Sequence, residues 1–186
     1  MFINDGDKDR IISSEELLAH LDDFIAEHAN GIKRLLLLPP DHTRLNSRSG
    51  EITAYLYEQL KDQCEINIMP ALGTHVPMTP AQLHLMFGKD IPLDAYMPHD
   101  WRNALKALGE LSAGRIKELS EDKLNFPMQV AVNKEVFNNY DLNVSIPSDQ
   151  ASGDRETLVS KQIEPGKHWF RQDLEDETPT FEVTLP

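Results

Sequence analysis

The sequence predicts an α/β fold, and three observations carry that prediction. Short apolar runs alternate with amphipathic stretches, so that strand, loop and helix recur in order. The run RLLLLP (34–39) is apolar without a break, the pattern of a strand buried on both faces, as strands of a parallel sheet are. Polar clusters then follow two of the strand candidates, where loops at the carboxyl edge of such a sheet lie.

Residues 13–29 read as an amphipathic helix. Ser13 and Glu16 stand at capping-box spacing, Leu17, Leu18, Leu21, Phe24 and Ile25 share one face, and Asn30-Gly31 closes it. The strand over 34–39 follows. From Gly50 to Gln63, Ile52, Tyr55, Leu56 and Leu60 recur at helical spacing, and EINIMPA (65–71) is the second strand candidate. After the turn LGTHVPM, Thr79 and Pro80 suit the N-cap and first position of a short helix that Gly88 ends. ALKALGELSAGRIKEL (104–119) reads either as a broken helix or as two strands around Ser112–Gly114. MQVAVN (128–133), KEVFNNY (134–140) and LNVSIP (142–147) suggest strand, short helix, strand, and completing the alternation gives a Rossmann-like, mostly parallel sheet flanked by helices. A polar linker begins near Ser148. Residues 1–147 are therefore expected to form the α/β domain and 148–186 an acidic C-terminal extension, in which TFEVTL (180–185) alternates like an edge strand.

The chain has 186 residues, 31 Asp plus Glu against 18 Lys plus Arg, and a net charge of −13. Such a field repels phosphate backbones and anionic bilayers, which excludes nucleic acid and membrane surfaces as expected partners while leaving room for a small anion at a local cluster of cations. No run of about 18 apolar residues spans a membrane, and the acidic start MFINDGDKDR is not expected to be a secretory signal. One cysteine, Cys64, permits no internal disulfide, in keeping with a cytoplasmic location.

The candidate chemistry lies in two loops. Asp41, His42, Thr43 and Arg44 follow the four leucines, and Gly73, Thr74 and His75 follow INIMPAL. Pro39 and Pro40 stiffen the first exit. Arg44 offers a planar fork for a carboxylate or phosphate, with Thr43 as a further donor. His75 is the expected proton carrier because an imidazole titrates near neutrality. A loop Asp followed by Thr also makes a turn or helix cap, and Arg44 can pair with Asp41 for structure alone. His99 and Asp100 in MPHDW form a third polar pair, with a structural role favoured. His20, His28 and His84 fall on helices and are expected to be packing residues. Asp5, Asp7, Asp9, Ile12 and Glu16 match the spacing of an EF-hand calcium loop, but Arg10 stands where that loop needs glycine, and no entering helix precedes it.

The stretches LLLLPPDHTRLNSRSGEITAYLYEQL, MPALGTHVPMTPAQLHLMFG and PHDWRN, with the Leu108-Gly109 pair, resemble the N-terminal domain of the nickel-dependent lactate racemase family, over about residues 14–146. The closest likeness is to racemase-like relatives of unassigned substrate. The resemblance implies an isomerase of 2-hydroxy acids that uses a nickel pincer nucleotide. A hydride passes to the cofactor and returns to the other face of the α-carbon, while a histidine removes and returns the hydroxyl proton. Asp41, His42, Thr43 and Arg44 match the cofactor-binding loop, Arg44 also lies near substrate, and His75 matches one of two acid–base histidines. After NNYDLNVSI the chain departs from the family pattern, so Lys161, Lys167 and His168 take no role by likeness, and no metal ligand is assigned. With the family's C-terminal domain not in this sequence, the chain is expected to be incomplete for catalysis alone. The alternative is a non-catalytic ligand-binding or interaction module of the same fold.

Overall fold

A computed structural model describes residues 10–73, 75–138 and 140–146, together with the backbone of three strands at 159–161, 166–171 and 180–185. The chain divides into two compact units: residues 1–99 with 139–162, and residues 100–138 with 163–186.

The first unit is built on a sheet whose strands are β1 (Arg34–Leu38), β2 (Glu65–Ile68), β5 (Leu142–Ser145) and β6 (Val159–Lys161), in the order β2-β1-β5-β6. The first three are parallel, with β1 central, and β6 runs antiparallel to β5. Helices α1 (Ser14–His28), α2 (Ser49–Leu60) and α3 (Pro80–Phe87) flank it, which is the expected α/β arrangement. Leu35, Leu36 and Leu37 are all sealed from solvent, as an unbroken apolar run on a central parallel strand requires. Alternation along the strands sends Leu35 and Leu37 into one core with Ile66, Ile68, Leu142 and Val144, closed by Leu56 and Leu60 of α2 and Leu83, Met86 and Phe87 of α3.

Local chemistry ends the helices where the sequence indicated. The Ser13 hydroxyl accepts from Glu16 N–H while Glu16 accepts from Ser13 N–H, and Thr79 and Gln82 repeat that box on α3. Gly88 leaves α3 at φ 88°, a left-handed value that suits glycine. The calcium reading loses one ligand here. Glu16 spends one oxygen on Arg10 and the other on Ser13 N–H. Asp5, Asp7 and Asp9 lie outside the described residues.

Register at the amino end of the sheet is pinned by Asp141, whose carboxylate accepts from the backbone N–H groups of Lys33 and Arg34 at 2.7 and 3.0 Å. At the carboxyl end, pairing continues past the strands. Met69 N–H donates to Leu37 O, Ala71 N–H donates to Pro39 O at 2.7 Å, and Pro40 bridges Ala71 in parallel. The prolines, lacking N–H groups, still contribute carbonyls, so the chains leaving β1 and β2 stay side by side as they enter their loops.

The second unit contains an antiparallel pair, β3 (Leu105–Leu111) and β4 (Met128–Asn133), a short helix α4 (Ala113–Leu119), and the pair β7 (Gly166–Arg171) with β8 (Thr180–Leu185). TFEVTL is thus a strand, paired with β7. Residues 104–119 correct the expectation, being neither a broken helix nor two strands but a strand followed by a helix. Leu105, Leu108 and Leu111 recur every three residues and mimic a helical face, although the segment pairs along its length with β4, in a register that shifts between Ala107 and Gly109. Ser112 then caps α4, its hydroxyl accepting from Arg115 N–H at 3.2 Å.

Candidate functional site

Two loops meet at the carboxyl edge of the parallel sheet because β1 and β2 are neighbours and their pairing persists to Ala71. The first loop leaves Pro40, and Asp41 caps a 3-10 segment over His42–Ser47 by accepting from Thr43 N–H at 3.0 Å and from the Thr43 hydroxyl. In the second loop His75 N–H closes a turn on Leu72 O at 3.0 Å, with Gly73 in the left-handed region at φ 57°.

Asp41 and His75, 34 positions apart, meet at 2.6 Å between Oδ2 and Nδ1. The carboxylate is buried, 5% exposed, while the imidazole is 62% exposed. Burial by itself drives the Asp41 carboxyl upward. The hydrogen bonds from His75 and Thr43 outweigh it and hold the group below its ordinary value, so it is a carboxylate at neutral pH. An acceptor at Asp41 places the imidazole proton on Nδ1 and leaves Nε2 as a lone-pair acceptor on the exposed ring. Such a dyad orients a base and stabilises the imidazolium formed when the base takes a proton.

Arg44 is exposed and follows directly. One guanidinium nitrogen, Nη1, stands 3.5 Å from the Thr43 hydroxyl, which in turn donates to Asp41. Guanidinium, hydroxyl, carboxylate and imidazole therefore form one connected row. The purely structural pairing of Arg44 with Asp41 is not what forms, because Asp41 is joined to His75. The cap reading of Asp41 holds at the same time, since its two oxygens serve different partners. His42 turns the other way, and its Nε2 accepts from Gln82 Nε2 on α3 at 2.9 Å.

The remaining polar candidates fall elsewhere. Asp100 accepts from the backbone N–H groups of Arg102 and Asn103 and from the Asn103 amide, so its carboxylate closes a local turn. His99 and Asp100 belong to different units. His28 packs its ring on Phe24 at 5.1 Å between centroids. The side chains of Lys161, Lys167 and His168 lie outside the described residues. Among the described residues, no group of three or more His, Cys, Asp or Glu side chains is placed to hold a metal ion, and no helix is long and apolar enough to cross a membrane.

Two residues escaped the sequence reading. Gln82 was legible only as the third helical position of a capping box, and its second contact, to His42, spans 40 residues. Gly50 sits in the first turn of α2 against the last turn of α3. An added Cβ there would lie 1.9 Å from Met86 O.

The row of Asp41, Thr43, Arg44 and His75 lies on an α/β fold beyond the carboxyl ends of β1 and β2, the edge at which open parallel sheets commonly take ligands. The chain belongs to the lactate racemase N-terminal domain family, which matches residues 9–139. The crystal structure of a protein from Thermotoga maritima shares the fold, with a TM-score of 0.62 and 23% identity over 72% of this chain. The chain spans 33% of the length of that structure. No curated protein matches.

Proposed function

We propose that this chain is the cofactor- and substrate-binding part of a 2-hydroxy acid racemase or epimerase of the nickel-pincer-nucleotide type, requiring a further domain for turnover. The observation that carries the reading is the 2.6 Å contact of buried Asp41 with exposed His75. With its proton held on Nδ1, His75 accepts the substrate hydroxyl proton at Nε2, and Asp41 stabilises the resulting imidazolium. Arg44 takes the carboxylate of the acid or a phosphate of the nucleotide in a two-point hydrogen bond. The residues present suit the anionic portions of such a cofactor, whereas the described residues contain no three-ligand set for the metal itself. Bound there, the nucleotide would supply the hydride acceptor and donor at the α-carbon. The small 2-hydroxy acid partner, the absence of nucleic-acid and membrane partners, and the division at residue 147 belong to the same proposal, as does a cytoplasmic site, which the single free thiol of Cys64 favours.

A second reading, a non-catalytic ligand-binding or interaction module of the same fold, is favoured by the departure from the family pattern after NNYDLNVSI. The deciding experiment produces the full-length protein with the cofactor-synthesis enzymes and measures nickel content, intact mass and racemisation of a panel of 2-hydroxy acids. Turnover that His75→Ala and Arg44→Ala abolish supports the enzyme. A bare chain with no turnover, which still binds an acid through Arg44, supports the module.

A further inference from the structure

The orientation of the Gln82 side chain is fixed from one end. Its Oε1 accepts from Thr79 N–H at 2.8 Å and from the Thr79 hydroxyl at 2.9 Å. That hydroxyl itself accepts from Gln82 backbone N–H at 3.3 Å, which directs its proton to Oε1. Turning the amide over would set its NH2 group against Thr79 N–H, donor facing donor at hydrogen-bond distance. The NH2 group must therefore point at His42, and His42 Nε2, 2.9 Å away, must accept. A ring that accepts at Nε2 carries its proton on Nδ1. His42 Nδ1 is buried and has no hydrogen-bond partner among the described residues. Buried N–H groups are nearly always paired, and an orphan of this kind at a ligand-binding edge is one that a ligand oxygen can complete.

We propose that Gln82 is a positioning residue that locks His42 as the neutral Nδ1–H tautomer, making His42 a hydrogen-bond donor to an anionic ligand oxygen and not a second proton acceptor. The ligand half rests on the function proposed above; the tautomer half rests on the hydrogen bonds alone. It divides labour between the two histidines of the site. His75 has its acceptor nitrogen on an exposed ring, whereas His42 has its acceptor nitrogen consumed by an amide.

The test uses the full-length chain with 15N-labelled histidine and long-range 1H–15N correlation, with His42 assigned by His42→Gln. Near pH 7 the wild type is expected to show Nδ1–H at His42. Gln82→Glu keeps the capping box, since glutamate accepts from Thr79 equally well. It offers His42 an acceptor in place of a donor, so the ring should switch to Nε2–H. Gln82→Leu removes the donor and should leave a mixture of tautomers. A wild-type ring protonated at Nε2, or a tautomer unchanged in both variants, overturns the lock. Inorganic phosphate and lactate, titrated separately, should shift the His42 Hδ1 resonance in the wild type and not in Gln82→Glu. Failure of both probes overturns the donor role. None of these readouts involves turnover, so they stand apart from any failure of the racemase reading.

Discussion

Gly50→Ala tests the packing that brings the helices to the site. Alanine in the first turn of a helix ordinarily gains about 1 kcal/mol over glycine. Here the new Cβ would stand 1.9 Å from Met86 O and 3.0 Å from Met86 C, and both obstacles are backbone. An ordinary C···O approach is about 3.3 Å, so α2 and the end of α3 must separate by about 1.4 Å. Overpacking of this kind costs about 3 kcal/mol where no flexible side chain can yield, and the helix-propensity gain reduces the net loss to about 2 kcal/mol. For a chain of this size that lowers Tm by about 4–8 °C. Thermal unfolding followed by circular dichroism reads the shift. Because Gln82 also lies on α3, the same movement should broaden or displace the His42 ring resonances. A Tm equal to or above that of the wild type would show that α2 and α3 are not seated on one another as described, and the spacing that sets the Gln82–His42 contact would lose its basis.

Gly114→Ala is the matched opposite, since its nearest neighbour would be Ser112 Oγ at 3.9 Å, and stability should rise by about 0.5 kcal/mol in a urea titration. Asp41→Asn should lower stability by about 1–3 kcal/mol, because it leaves buried hydrogen-bonding groups imperfectly paired. Asp41 is held below its ordinary value in the folded state, so its contribution is fully present above the unfolded value of about 4 and is lost as pH falls through the folded one. The gap between wild type and Asp41→Asn in urea should therefore close on acidification below about pH 4, and a constant gap would contradict the assignment. Glu16, held near pKa 2 chiefly by Ser13 N–H, should make α1 lose helicity as pH falls from 4.5 toward 2, a titration that Glu16→Gln removes while keeping the cap. Leu36→Ala, at a position with no solvent exposure, should cost about 2–5 kcal/mol.

Much of this molecule is written locally. Ser13 with Glu16, and Thr79 with Pro80, specify helix starts through caps that close within four residues, so a reader of the chain finds them without the fold. The four leucines similarly announce a strand with no wet face. Residues 105–111 were harder, because leucines three residues apart read as a helical face, and only pairing with β4 shows that the segment is a strand.

The site divides along the same line. Residue types alone mark Asp41, Arg44 and His75 as candidates, since a fork cation, a carboxylate and an imidazole have few uses together in loops. Whether they meet is a question of strand order. Had another strand lain between β1 and β2, the two loops would open about one further strand spacing, 4.8 Å, apart and the 2.6 Å contact could not form. The tertiary structure also decided which partner Asp41 takes, His75 and not Arg44, and it turned His42 away toward Gln82. Caps and turns come from short-range geometry that neighbouring residues dictate. Proton positions and donor roles come from contacts between residues 34 and 40 positions apart, which only the assembled sheet and helices bring within reach.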